Sequence, residues 1–277
     1  MITIVVPEHQ PGEAGVAVSD RGLAYGDGLF ETILIRCGQP QLLQAHCQRL
    51  LEGAARLGIP LREDELTPAV RRACALMDAT TDRQVLKLLL TRGSGGRGYR
   101  PPAEPEPRLI ISVTPAPPAP PESGVKAIIS EIPLTVNPML AGIKSLNRLE
   151  QVMASRSIPE DCYEALMCGD QGDLREGTRT GLLFRWQGQW WTPPRDRVAV
   201  RSIMVAHVER GLAREGIPLR EGLLYPEQCW QPEFGGLLLL NSLIGAIPVQ
   251  ALNGRELPLP EQLATIVSLA KQPEEFR

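Results

Sequence analysis

Residues 137–152 read NPMLAGIKSLNRLEQV. Gly142 and Ile143 lead into Lys144, and the run after it looks like the start of a helix. A lysine on an open surface does not need so tight an approach. Read alone, Lys144 is either a solvated cation or an amine held out of water. Desolvation lowers the pKa of such an amine, so that it can attack a carbonyl and form a Schiff base.

Outward from that segment, the chain divides at TPAPPAPPESG, residues 114–124. Its prolines favour extended polyproline geometry and forbid a helix or a central strand. The expected organisation is therefore a domain over 1–113, a linker over 114–124 and a second domain over 125–277. Before the linker, residues 28–42 read as two strands around a glycine turn. Residues 42–59 have helical spacing, with Leu43, Cys47, Leu50, Leu51 and Ala54 on one side, and Gly58 and Pro60 to end the helix. Residues 62–80 read as a second helix, and 84–93 and 108–115 as strands. After the linker come strands at 125–132 and 163–170, and a hairpin at 181–193. A helix over 200–217, a strand-turn-strand at 235–252 and a helix over 260–272 complete the chain. This is an α/β (α+β) pattern in two domains.

The chain has 277 residues, 43% of them apolar, and a formal charge of −3. That charge argues against a general nucleic-acid binder, which is usually basic. The six cysteines, at 37, 47, 74, 162, 168 and 229, show no metal-ligand spacing. MITIVVPEHQ has no basic region ahead of an apolar run, so no signal peptide is expected. The longest apolar run, 235–249, is interrupted by Asn241 and Ser242 and is too short to span a bilayer. The expected setting is the cytoplasm, with free, partly buried thiols.

Several other residues could join Lys144 in one chemistry. Arg49 follows His46 by three residues on the first helix, so the two share a face. Its guanidinium fork suits a phosphate or faces solvent equally well. Residues 201–204, RSIM, lie where a loop becomes a helix, and free N–H groups there accept an anion. NSLIG, 241–245, puts small polar side chains in a turn. Glu176 of DLREGTRT could pair with a protonated ring nitrogen or face water. A Schiff-base lysine, an acid and phosphate donors are together the parts that pyridoxal phosphate requires.

The motifs SDRGLAYGDGLFET, LLQAHCQRL, TRGSGGRGY, NPMLAGIKSLNRLEQV, YEAL and NSLIGAIPV occur in the order seen in fold-type IV pyridoxal-phosphate enzymes, and the chain resembles that family throughout. The family includes branched-chain and D-amino acid aminotransferases and 4-amino-4-deoxychorismate lyases. RGSGGRGY and the residues after Lys144 are most similar in wording to the lyases.

The resemblance implies a smaller N-terminal α/β domain and a larger, barrel-like C-terminal one, with pyridoxal 5'-phosphate in the cleft between them and a homodimeric assembly. It makes Lys144 the Schiff-base lysine. It gives Glu176, 176 − 144 = 32 residues on, to the pyridine nitrogen, and gives the phosphate to Arg49, the amides of Ile203 and Met204, and the Ser242 hydroxyl. Arg97 lies between glycines and is the candidate for a substrate carboxylate, with Tyr25, Arg92 and Tyr99 beside it. Asp27 reads more simply as a turn residue.

The implied reaction releases pyruvate from 4-amino-4-deoxychorismate and needs no metal. An aminotransferase on the same scaffold, or a relative that has lost the chemistry, are the other readings. Two stretches depart from the family's pattern. Gly181 stands where asparagine is common, and Ser202, Ile203, Met204, Val205 replace a Gly-Ile-Met/Thr-Arg turn.

Overall fold

The computed structural model describes the backbone of residues 2–6, and residues 15–75 and 81–271 in full. It has two units. One runs through Pro117 and includes Ile143–Asn147; the other holds Pro118–Gly142 and the chain from Arg148 onward.

In the first unit, β1 (Ile2–Val6), β2 (Gly28–Arg36), β3 (Gln39–Pro40), β4 (Arg83–Thr91) and β5 (Arg108–Pro115) form one antiparallel sheet. Its order is β1-β5-β4-β2-β3. Side chains alternate across a strand, so Leu29, Glu31, Ile33 and Ile35 share one face of β2, and all four are buried. α2 (Leu43–Leu57) and α3 (Glu63–Ala75) supply the other half of this core through Leu50, Ala54, Leu66 and Val70. Each such leucine or isoleucine contributes about 1.5–3 kcal/mol of hydrophobic stabilisation. α2 ends as the sequence predicts: Gly58 takes a left-handed conformation, φ 61°, and its N–H donates to the carbonyls of Ala54 and Ala55. Residues 76–80 of the expected second helix lie outside the described residues.

Where the sequence suggests only a tight turn, the chain forms a short helix, α1 (Arg21–Tyr25). The Asp20 carboxylate accepts from the amides of Gly22 and Leu23 and so starts it.

The segment 143–147 departs from the domain boundary drawn at 125. β3 pairs with β2 only at Ile35 and Arg36, which leaves the other end of that edge open. Residues 144–146 occupy it: Phe30 N–H donates to Lys144 O and Leu146 N–H to Gly28 O, each at 3.0 Å. Ile143 is buried in the same core. Lys144 therefore belongs to the first unit.

The second unit is built on a nine-stranded sheet of β6 (Val125–Ile129), β7 (Glu164–Cys168), β8 (Leu174–Gly177), β9 (Gly181–Trp186), β10 (Gln189–Thr192), β11 (Leu219–Glu221), β12 (Phe234–Asn241), β13 (Gly245–Leu252) and β14 (Arg255–Glu256). The order is β11-β10-β9-β12-β13-β6-β7-β8, with β14 on β13. In a flat sheet β8 and β9 would stand about 24 Å apart, five spacings of roughly 4.8 Å. Only residues 178–180 join them, and from Gly177 to Gly181 the chain spans at most about 14 Å. The sheet therefore curls until its end strand reaches β9. Leu166, Leu174, Phe184, Leu237, Leu239 and Val249 fill its interior. α4 (Leu149–Ser155), α5 (Ile203–Arg214) and α6 (Leu263–Lys271) complete the unit. Among the described residues, no helix is long and apolar enough to cross a membrane.

Candidate active site

The strand edge answers why Lys144 sits where it does. Its backbone is locked to β2, and its Nζ lies 4.1 Å from the centroid of the Phe30 ring. Lys144 is half-buried, fixed at its backbone, with its amine laid on an aromatic face.

Behind the same strand, Glu31 receives both residues that share a face of α2. His46 Nδ1 is 2.6 Å from Glu31 Oε2, and Arg49 donates through Nε to Oε1 at 2.8 Å and through Nη2 to Oε2 at 2.6 Å. Burial pushes the Glu31 carboxyl up. The Arg49 charge and the hydrogen bonds from His46 and Arg49 outweigh burial and hold it down at about 2. Burial pushes the His46 imidazole below its usual value, against the pull of Glu31. An ionised carboxylate only accepts, so Nδ1 carries the hydrogen. His46 Nε2 is buried with no partner among the described residues.

A second cluster ties two glycine-rich loops together. Asp27 accepts from Arg21 Nε at 2.8 Å and from Arg92 Nε at 2.7 Å. Burial raises the Asp27 carboxyl, but these two arginines hold it below the usual carboxylate range. Arg92 also donates to the carbonyls of Leu57 and Gly58. Arg21 donates to the carbonyls of Gly98 and Tyr99. Its chain lies so near the loop that a Cβ on Gly95 would come within 2.7 Å of Arg21 Cδ. Tyr25 and Tyr99 meet with ring centroids 5.5 Å apart, and Arg97 is exposed on the same loop. Asp27 is thus more than a turn residue: it joins two nearly buried arginines.

In the second unit, Glu176 on β8 is buried, and its Oε2 accepts from the Val200 amide at 3.1 Å. It lines a cavity of about 50 Å³ with Gly181, Arg201, Ser202 and Val205. Ser202 is the N-cap of α5, its Oγ accepting from the Val205 amide at 3.2 Å. The helix supplies no acceptor for its first amides, Ile203 and Met204. These donors at the start of a twelve-residue helix have the chemistry of a phosphate cradle. The departures at 181, 202 and 205 converge here: a Cβ on Gly181 would lie 3.0 Å from Ser202 Cβ and 3.1 Å from Val205 Cγ2. Ser242 lies in the β12–β13 turn, which the Asn241 side chain holds by accepting from the amides of Leu243 and Ile244.

The structure thus groups Lys144 and Arg49 in the first unit with Tyr25, Arg92, Arg97 and Tyr99, and groups Glu176, Ile203, Met204 and Ser242 in the second. Three residues escaped the sequence reading. Glu31 stands in a buried, alternating apolar row, and a charge there signals a buried partner. Phe30 carried no signal of its own. Glu164 of YEAL is fully buried and accepts from Thr178 Oγ1 at 2.5 Å and Thr180 Oγ1 at 3.0 Å, which fixes the turn between Glu176 and Gly181. All six cysteines are free thiols. Burial pushes Cys47 up to about 11 and Cys229 up to about 12, so neither is a ready nucleophile.

Comparison with known proteins bears on this arrangement. The sequence profile described as amino-transferase class IV matches residues 28–252. An aminodeoxychorismate lyase of Vibrio harveyi is 30% identical, over 87% of this chain and 89% of its own. A putative branched-chain-amino-acid aminotransferase of Methanocaldococcus jannaschii is 31% identical, over 88% of this chain and 84% of its own. The crystal structure of 4-amino-4-deoxychorismate lyase from Pseudomonas aeruginosa superposes with a TM-score of 0.89 at 35% identity, covering 99% of this chain and 100% of that one.

Proposed function

This chain belongs to the amino-transferase class IV family, and we propose that it is a lyase converting 4-amino-4-deoxychorismate to 4-aminobenzoate and pyruvate. The observation that carries this reading is its likeness, over nearly the whole of both chains, to the Pseudomonas aeruginosa lyase. The cofactor is pyridoxal phosphate. The donor set suits it: a lysine amine on an aromatic face, a buried carboxylate, and helix-start amides with a phosphate's chemistry.

When bound, pyridoxal phosphate supplies an aldehyde that condenses with amines and a ring that accepts electrons from the carbon bearing nitrogen. Lys144 Nζ would hold the cofactor when it is bound. As a neutral amine, Nζ would take the proton from the ring carbon that carries nitrogen. The bond from the ring to the enolpyruvyl oxygen breaks and the ring becomes aromatic. Nζ returns the proton to the methylene carbon of the leaving enol, which becomes pyruvate. Glu176 would keep a proton on the pyridine nitrogen. Arg49, the amides of Ile203 and Met204, and Ser242 would hold the phosphate. Arg97, with Tyr25 and Tyr99, takes a substrate carboxylate. Arg92, whose donors go to Asp27 and to the carbonyls of Leu57 and Gly58, holds that loop in place.

The second reading, a branched-chain or D-amino acid aminotransferase, is favoured by the Methanocaldococcus jannaschii relative. A substrate panel separates the two. The lyase forms 4-aminobenzoate from 4-amino-4-deoxychorismate with no keto acid added. An aminotransferase forms a new amino acid from leucine or D-alanine only when 2-oxoglutarate is present. We place the enzyme in the cytoplasm as a homodimer. Support for the dimer comes from four apolar side chains at least half exposed, Leu149 and Val152 on α4 and Met139 and Leu140 in the turn before it in sequence.

A further inference from the structure

Phe30 presents its ring to the one amine the reaction depends on. Lys144 Nζ is 4.1 Å from the ring centroid. Both partners are fixed at the backbone, because Phe30 lies within β2, paired with Leu89 of β4, and its N–H donates to Lys144 O. The contact is therefore set by the sheet and not by a loose loop. An aromatic face attracts an ammonium through its quadrupole, an attraction a neutral amine lacks.

Ionisable groups of this unit also lie near the pair. Glu31 on β2 is neutralised by Arg49 on α2. His46 on α2 is held neutral by burial. Lys87 on β4 is a like charge, 5.8 Å from the same ring.

We propose that Phe30 is a positioning residue that stabilises the protonated Lys144 amine in the interval between taking the substrate's proton and returning it to the leaving enol. The proposal rests on the lyase reading. The step balances: one proton leaves the ring carbon for Nζ, and the same proton leaves Nζ for the methylene carbon.

The test reads the amine itself. Apoprotein is trace-acetylated with acetic anhydride across a range of pH, and mass spectrometry of the Lys144 peptide gives the pKa of Nζ. Phe30→Leu lowers that pKa by about 0.5–1.5 units relative to the unmutated chain. Phe30→Tyr, which keeps the ring, leaves it within about 0.3 units, well under the loss expected when the cation–π contact is removed. Phe30→Met serves where Phe30→Leu lowers the yield of folded protein. An unchanged pKa in Phe30→Leu, or an equal drop in Phe30→Tyr, overturns the proposal; a purely structural role would move the melting temperature and leave the pKa alone. Neither cofactor nor substrate enters this titration. An absent shift therefore sinks the inference even when the lyase assay succeeds, and an absent product sinks the lyase reading even when the shift is present.

Discussion

Glu31 and Arg49 meet through two hydrogen bonds, with the carboxylate 1% exposed and the guanidinium 14% exposed. The pair joins the sheet to α2 and sets the orientation of the Arg49 guanidinium. Removing one partner of a buried pair leaves the other charge uncompensated. Glu31→Gln therefore costs the apoprotein about 3 kcal/mol or more in urea denaturation. It also weakens pyridoxal phosphate binding about tenfold or more, the loss of one charge-assisted hydrogen bond's worth of positioning. A loss of stability with unchanged cofactor affinity would separate Arg49 from the phosphate.

Acid should weaken the fold through His46 and Glu31 in turn. Burial holds the folded His46 below its ordinary 6.5, so between the two values the unfolded chain binds more protons. That contribution is fully present above pH 6.5 and is lost as the pH falls. Glu31 adds a second loss between its ordinary 4.5 and about 2. Thermal unfolding of apoprotein should show a lower melting temperature at pH 5.5 than at pH 7.5. His46→Gln should flatten that interval. A melting temperature that rises toward pH 5.5 would contradict the neutral assignment.

Gly181 and Ser202 should behave as a coupled pair. Ser202 caps α5, and the space it needs is the space a side chain at 181 would fill. Gly181→Asn pushes on the cap and on the Ile203 and Met204 amides behind it, and cofactor affinity falls. Ser202→Gly alone costs only a few tenths of a kcal/mol, since glycine is itself an acceptable N-cap. Combined, the two changes recover most of the affinity, with a coupling of about 0.5–3 kcal/mol in an equilibrium titration. Strict additivity would show that the contact does not govern the cradle.

The apolar side chains around α4 carry the dimer prediction. Leu149 is 73% exposed and Val152 55% exposed. Introducing Leu149→Glu with Val152→Glu places two charges on that surface without touching the interior of the unit. Sedimentation velocity should show a dimer for the unmutated chain and a monomer for the double variant. A dimer in both would move the interface elsewhere.

What the sequence discloses is local, and what it hides is pairing at a distance. Helical spacing alone puts His46 and Arg49 on one face, and the α5 start is legible in the change from loop to apolar helix around Ser202. Glu31 is hidden because its partners lie 15 and 18 residues along the chain. Lys144 joins the first unit through a strand edge more than a hundred residues away in sequence, and no periodicity within 137–152 records that. The curl of the large sheet is equally non-local. It follows from strand order together with the three-residue link between β8 and β9. The unusual residues at 181, 202 and 205 look unrelated in sequence and become one contact in space.

If Lys144 carries a pyruvate-releasing elimination, the two products must appear in equal amounts. Protein loaded with pyridoxal phosphate is given 4-amino-4-deoxychorismate with no keto acid present, and 4-aminobenzoate and pyruvate are measured together against time. Equal amounts of both are expected, with no turnover by Lys144→Ala. Turnover that persists in Lys144→Ala, or cofactor-loaded protein that forms neither product, would contradict it.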